Sequence, residues 1–170
     1  MIMSGSEIIL AGSGDITVAW DIVSKAKEEM RRQGRKQWQD GYPAKENLLD
    51  DINAGNGYLL KTDGSVSGYC AVIFSGEPAY DKIYGEWLGS IPYVVVHRLA
   101  IDPDLKGTGK ATDFMQLVEK LAKERGFGSF RVDTNFDNAG MLRIMQKCEF
   151  TYCGKVRLPG GERLAFEKLI

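Results

Sequence analysis

The residues able to do chemistry concentrate between His97 and Thr112, in the run HRLAIDPDLKGTGKAT. Gly107 and Gly109 alternate there with Thr108 and lie between the cations Lys106 and Lys110. Glycines let the main chain turn in left-handed conformations and let a ligand approach closely. Where a helix starts beside such a loop, its first amides have no intrahelical acceptor and the positive end of its dipole faces the same space. Those features together hold phosphate or pyrophosphate. His97, the single histidine, has an ordinary pKa close to neutrality, which suits a general base. A histidine on an apolar strand serves equally as a hydrogen-bonded core residue, and both readings stand at this point.

The elements that must position these groups are a strand and a helix. Val94-Val95-Val96, then Leu99, Ala100 and Ile101, read as a buried strand. Asp102-Pro103-Asp104 ends it, because proline lacks the amide a central strand needs. Beyond the glycines, Phe114, Met115, Leu117, Val118 and Leu121 repeat at helical spacing. Strict alternation would put His97 on one face with Leu99 and Ile101, and Arg98 on the other with Ala100. The Walker pattern is excluded, since Ala111 follows Gly109-Lys110 and Asp104 stands five before Gly109. The dinucleotide pattern fails too, because Thr112 stands where a third glycine belongs.

The chain of 170 residues reads as a single domain, 1–170, large enough to bury a core. Apolar residues make up 44% and charged residues 26%, with a net charge of −1, which gives nucleic acid or an anionic membrane nothing to recognise. Cys70, Cys148 and Cys153 form no C-x-x-C pair, and with one histidine a zinc site is not expected. The N-terminus has no signal-peptide pattern and no apolar run reaches membrane-spanning length, so the expected location is the cytoplasm.

In chain order, Glu7 to Ala11 reads as a strand, and Ile16, Ala19, Val23, Ala26 and Met30 as an amphipathic helix capped by Ser13 or Asp15. The basic run Arg31 to Lys36 suits a solvated helix end. Trp38 and Tyr42 fall in the irregular segment Gln37 to Pro43; such aromatics either anchor a loop or line a pocket. Ala44 to Ala54 is helical, with Leu48, Leu49 and Ile52 inward. Tyr58–Thr62 and Val66–Phe74 form a hairpin about Asp63-Gly64-Ser65. Ser75 to Ser90 reads as a short helix and loop. Trp87 and Tyr93 flank the next strand, lining a pocket or packing into the core. Ser129–Thr134 is a strand, Asp137 or Asn138 starts a helix, and Phe150–Val156 and Glu162–Leu169 close the chain as strands. The order β-α-α-β-β-β-α-β-α-β-β is mixed α/β, without the strict alternation of a doubly wound fold.

Lys106-x-x-Gly109-x-Ala111 resembles the acyl-coenzyme A loop of the GNAT superfamily of N-acetyltransferases, Arg/Gln-x-x-Gly-x-Gly/Ala, with lysine in first place. The family's second motif, a strand, then Asn, then a short helix ending Tyr-x-x-x-Gly-Phe, matches at Asn138 and Phe150, with Met145 for the Tyr and Glu149 for the Gly. The element order agrees from about Glu7 to Leu169. The run Asp133 to Asn138 with Tyr152-Cys153-Gly154, the Gln37-Trp38 and Tyr42-Pro43 loop, and His97 to Ala100 further resemble a bacterial subgroup of poorly defined substrate.

The resemblance implies a central, mostly antiparallel twisted sheet of about 6–7 strands flanked by about 4 helices. It implies acetyl transfer from acetyl-CoA to a primary amine of a small molecule or peptide N-terminus, by direct attack in a ternary complex without a metal. The amides of Lys106, Gly107, Thr108, Gly109, Lys110 and Ala111 would hold the pyrophosphate and Thr112 would add a hydroxyl. The Leu99–Ala100–Ile101 edge would pair with pantetheine, and Asn138 and Met141 would complete the coenzyme's contacts. His97 is the candidate base; Tyr152 or water replaces the acid missing at Met145, whose thioether has no proton to give, or no acid is needed, since a thiolate is a tolerable leaving group. Trp38, Tyr42, Trp87 and Tyr93 are the candidate acceptor-pocket residues. Exposed closing strands are compatible with a homodimer. The other reading carried forward is a non-catalytic acyl-CoA-binding or sensing domain, prompted by Met145 and Glu149.

Overall fold

A computed structural model describes residues 5–170. Strand β1 (Ser6–Leu10) leads into α1 (Ile16–Arg32) and α2 (Lys45–Asn53), then β2 (Gly57–Thr62), β3 (Ser65–Ile73) and the two-residue β4 (Tyr84–Gly85). β5 (Tyr93–Ile101), α3 (Lys110–Glu124), β6 (Ser129–Thr134), α4 (Ala139–Lys147), β7 (Thr151–Leu158) and β8 (Gly161–Leu169) complete the chain. The strands order as β1-β2-β3-β5-β6-β8-β7-β4, antiparallel throughout the described ladders except between β5 and β6. The mixed α/β class and the four helices are as expected. The strand count is eight and not six or seven. The additional strand is β4, inside the segment read as helix and loop. Its Gly85 pairs with Gly154 of β7, and a Cβ on Gly85 would lie 2.8 Å from the Gly154 Cα, so only glycines let these two backbones meet. Among the described residues no helix is long and apolar enough to cross a membrane.

The chain divides into two compact units, each assembled from two stretches. One comprises the chain up to Val72 together with His97–Val118, and the other Ile73–Val96 together with Glu119–Ile170. In the first, the apolar face of α1 buries Ala19, Ile22 and Val23 with Leu48 and Ile52 of α2, Leu59, Tyr69 and Ala100. At 25–30 cal/mol per Å² of apolar surface removed from water, each such aliphatic side chain contributes about 1.5–3 kcal/mol. The β2–β3 turn has Asp63 at φ 51° and Gly64 at φ 83°, the paired left-handed residues of a type I′ hairpin. Asp15 stands at the start of α1 but does not cap it. A single turn of tighter helix, Ser13–Asp15, precedes α1, and the Asp15 carboxylate accepts instead from the Gly12 amide at 2.8 Å. Arg31 and Arg32 end α1 in exposed ion pairs with Glu28 and Glu29.

In the second unit, Tyr80, Val95, Val156 and Ala165 form a core against which Ile73, Ile83, Trp87 and Tyr93 pack. Phe130 and Phe150 meet edge to face, with centroids 5.0 Å apart. The β7–β8 register slips between Tyr152 and Gly154, leaving Cys153 as a bulge.

Candidate active site

The first unit holds His97, Leu99, Ala100, Ile101, the whole 106–112 loop, Trp38 and Tyr42. The loop is built as its composition requires. Asp102 accepts from the Asp104 amide, a single helical turn spans Pro103–Leu105, and Gly107 and Gly109 follow at φ 80° and 82°. Those angles suit glycine, because residues with a side chain rarely adopt a positive φ; the space around Gly107 is itself open. α3 begins at Lys110, and its first i to i−4 bond runs from the Asp113 amide to the Gly109 carbonyl at 3.0 Å. The amides of Lys110, Ala111 and Thr112 precede that bond and lie at the positive end of a 15-residue helix.

Side chains of the loop divide by direction. Lys106 is exposed, 3.8 Å from Glu29, whereas Lys110 is 8% exposed and its ammonium lies 3.9 Å from buried Asp113. Any contribution of Lys110 to a bound anion therefore comes from its main chain. The Thr108 hydroxyl donates to the Leu105 carbonyl and is part of the turn.

β5 departs from the alternation expected of it. Arg98 has φ 55°, a left-handed residue in mid-strand, and this interrupts the period of two between His97 and Leu99. The parallel ladder with β6 covers Tyr93–Val95, so Leu99–Ile101 stand beyond its end. His97 and Leu99 are half-buried and Ala100 is buried.

Arg98 is the centre of a network for which its sequence neighbourhood gives no sign. Its Nε and Nη2 donate to the two oxygens of Asp51 at 2.7 and 2.5 Å, and its Nη1 donates to the Tyr42 hydroxyl at 2.6 Å. Tyr69 also donates to Asp51, at 2.8 Å. Burial opposes the Arg98 cation, but its bonds to Asp51 and Tyr42 outweigh that and hold its pKa above the ordinary value. Burial and the Asp51 charge both push the Tyr69 phenol upward, so it remains a donor. Asp51 was discoverable in principle: it lies three residues after Leu48, on the buried face of α2. Trp38, at φ 65°, packs against the first unit's core and so anchors its loop, whereas Tyr42 is 45% exposed.

The second unit holds Trp87, Tyr93, Asn138, Met141 and Tyr152. Asn138 caps α4, accepting from the Met141 amide at 3.1 Å. Glu149 follows α4 at φ 64°, taking the left-handed conformation for which the motif uses glycine. Met145 is 1% exposed and fills the core. Tyr152 is 53% exposed and stacks edge to face on Phe166. Trp87 and Tyr93 join a packed aromatic cluster: Trp87 donates to the Tyr80 carbonyl, Tyr93 accepts from the Glu77 amide, and the Arg131 guanidinium lies 4.2 and 4.0 Å from their rings. Tyr80 donates to Asp133 at 2.5 Å. Burial raises the Asp133 pKa, and the Tyr80 bond offsets part of that rise. Among the described residues no group of three or more His, Cys, Asp or Glu side chains is placed to hold a metal.

A sequence model of the acetyltransferase (GNAT) family matches residues 23–150. The structure is similar to a GNAT-family acetyltransferase from Streptococcus agalactiae, at 36% identity and TM-score 0.90 over 100% of this chain and 98% of the other. A GNAT-family acetyltransferase from Listeria monocytogenes aligns at 18% identity and TM-score 0.77, over 97% and 95% of the two chains. The PaiA N-acetyltransferase of Thermoplasma acidophilum, solved with coenzyme A, aligns at 16% identity and TM-score 0.72, over 99% and 100%. Comparison with curated protein sequences found no match.

Proposed function

Because this chain belongs to the acetyltransferase (GNAT) family, we propose that it moves an acetyl group from acetyl-CoA to a primary amine of a small molecule or peptide N-terminus by direct attack in a ternary complex. The observation that carries the proposal is the pair of left-handed glycines, Gly107 and Gly109, running straight into the first turn of α3. The resulting row of main-chain donors suits a pyrophosphate. Similarity to a protein solved with coenzyme A supports the same choice of co-substrate.

In this reading the amides of Gly107, Gly109, Lys110 and Ala111 hold the pyrophosphate, with the Thr112 hydroxyl beside them, whereas the amides of Lys106 and Thr108, expected to join them, donate to the Pro103 and Leu105 carbonyls and shape the turn. The main chain of Leu99, Ala100 and Ile101 pairs with the pantetheine amides, and Asn138 and Met141 are further coenzyme contacts. His97 takes the proton from the acceptor's ammonium. The amine nitrogen then attacks the thioester carbonyl, the C–S bond breaks, the nitrogen gives its surplus proton to water as the amide forms, and the departing thiolate receives a proton from water or from Tyr152, which recovers its own from solvent. Met145 has no part in that transfer: it carries no ionisable proton and is buried. Tyr42 is the acceptor-side residue with the strongest support, since Trp38 is committed to the core, and Trp87 and Tyr93 to the aromatic cluster. Use of acetyl-CoA makes the cytoplasm the expected place of action.

Calorimetric titration with acetyl-CoA, with ADP and ATP as controls, tests the loop. Acetyl-CoA alone should bind, and Gly109→Val should lower its affinity at least about tenfold, because a β-branched residue at positive φ deforms the turn. Tight ATP binding without acetyl-CoA binding would overturn the assignment. Amine-dependent thiol release tests the reaction, and binding without release would favour the sensing domain. His97→Ala should lower the rate at neutral pH by about 10²-fold while sparing acetyl-CoA affinity; an unchanged pH–rate profile would remove His97 as the base.

A further inference from the structure

The Arg98 network invites a functional reading because its geometry is costly and its reach is outward. A non-glycine residue at φ 55° in mid-strand persists only where its surroundings hold it. Asp51 supplies that hold, through two hydrogen bonds to a guanidinium whose side chain is 13% exposed. A network serving the core alone would end there. This one continues to Tyr42, a residue 45% exposed on the 37–43 loop.

That loop is fastened at several points. Trp38 packs into the first unit's core, the Gln39 amide donates to the Lys27 carbonyl, and Lys27 donates to the carbonyl of Pro43 at 2.7 Å. Among the described residues, the bond that fixes the exposed phenol itself is the one to Arg98. The Tyr42 oxygen accepts from Arg98 and so keeps its own proton to donate to a ligand. Arg98 is also the residue next to His97 in the chain.

We propose that Asp51, Arg98 and Tyr42 form a latch in which Arg98 is a positioning residue: it holds Tyr42 in place as a hydrogen-bond donor to the acceptor-amine substrate. The proposal rests on the acetyl-transfer reading given above. It names the acceptor class as primary amines that carry a hydrogen-bond-accepting oxygen, such as a peptide N-terminus, in preference to bare alkyl polyamines.

The test uses the intact protein and thiol release from acetyl-CoA, with a tripeptide bearing a free N-terminus and spermidine as the probe amines. The wild type should favour the tripeptide in kcat/KM. Tyr42→Phe should raise the tripeptide KM about tenfold, as expected for one lost hydrogen bond, with acetyl-CoA affinity and thermal stability little changed. Arg98→Lys, which retains the cation without the fork, should show a smaller rise than Arg98→Met. Unchanged tripeptide KM and kcat in Tyr42→Phe, or a preference for spermidine, would overturn the latch while leaving acetyl transfer intact. No thiol release from either amine by a wild type that binds acetyl-CoA would overturn the proposed reaction and the latch with it.

Discussion

Among the described residues, each unit contains an arginine held by a buried carboxylate, Arg98 by Asp51 and Arg131 by Glu167, and the two are used differently. In the second unit Glu167 is 0% exposed and accepts from Arg131, from the Ser129 hydroxyl and from the Leu88 amide. Arg131 spends its remaining directions on the Gly89 carbonyl and on the faces of Trp87 and Tyr93. These contacts fasten the Trp87–Gly89 segment to β6 and β8. In the first unit the Asp51–Arg98 pair is bidentate where Arg131 makes a single bond to Glu167, and it passes on to a phenol in contact with solvent. Ion pairs of the same chemistry therefore do not imply equal roles. What distinguishes them is where the last hydrogen bond of the network goes.

The contrast is open to direct attack. The largest effect is expected from Glu167→Ala, which strands the Arg131 charge inside the protein and should cost about 3–5 kcal/mol in denaturant unfolding. A loss below about 1 kcal/mol would show that Arg131 finds other partners and that the second network is no strut. Tyr80→Phe comes next, removing the donor to Asp133 at a cost of about 1–2 kcal/mol.

Tyr80→Phe also has a signature in pH. The folded-state pKa of Asp133 is raised by burial, so the native state holds its proton more tightly than the unfolded state does. The resulting contribution to stability is present below the unfolded carboxylate pKa and is lost as pH rises through the folded value. The Tyr80 bond pulls that folded value down, so Tyr80→Phe should extend the window upward. Carboxyl NMR titration of Asp133 reads this directly, and a downward shift would contradict it. The smallest effect is expected from Lys106→Gln. An ion pair this exposed should leave stability unchanged within about 0.5 kcal/mol, in contrast to the two buried pairs. A loss above about 1 kcal/mol would erase that distinction.

What could be read in advance was local chemistry. Pro103 ends β5, Asp63-Gly64 makes the hairpin and the spacing of Phe114, Val118 and Leu121 gives α3, each from residues within one turn or one strand of each other. The glycine loop was legible for the same reason. β4 was not, because a two-residue strand depends on Gly154 of β7, far along the chain. The face on which Arg98 lies was hidden twice over. Its residue type does not announce a left-handed backbone, and Asp51, which holds it, lies 47 residues away. Glu149 misleads in the opposite sense: the motif's glycine is absent, but the backbone conformation glycine would supply is kept.

The way the units are threaded bears on how the protein is made. Ile73–Val96 interrupts the first unit, and α3 passes from one unit to the other after Val118. On the ribosome, β1, β2 and β3 emerge together, but the glycine loop and the end of β5 that complete the first unit arrive only after part of the second has been synthesised. Neither unit can finish folding as an uninterrupted N-terminal or C-terminal piece in the usual domain-by-domain order. A chain released at Val72 carries Asp51, Tyr42 and Tyr69 without Arg98, and therefore leaves the Asp51 carboxylate without the cation that neutralises it.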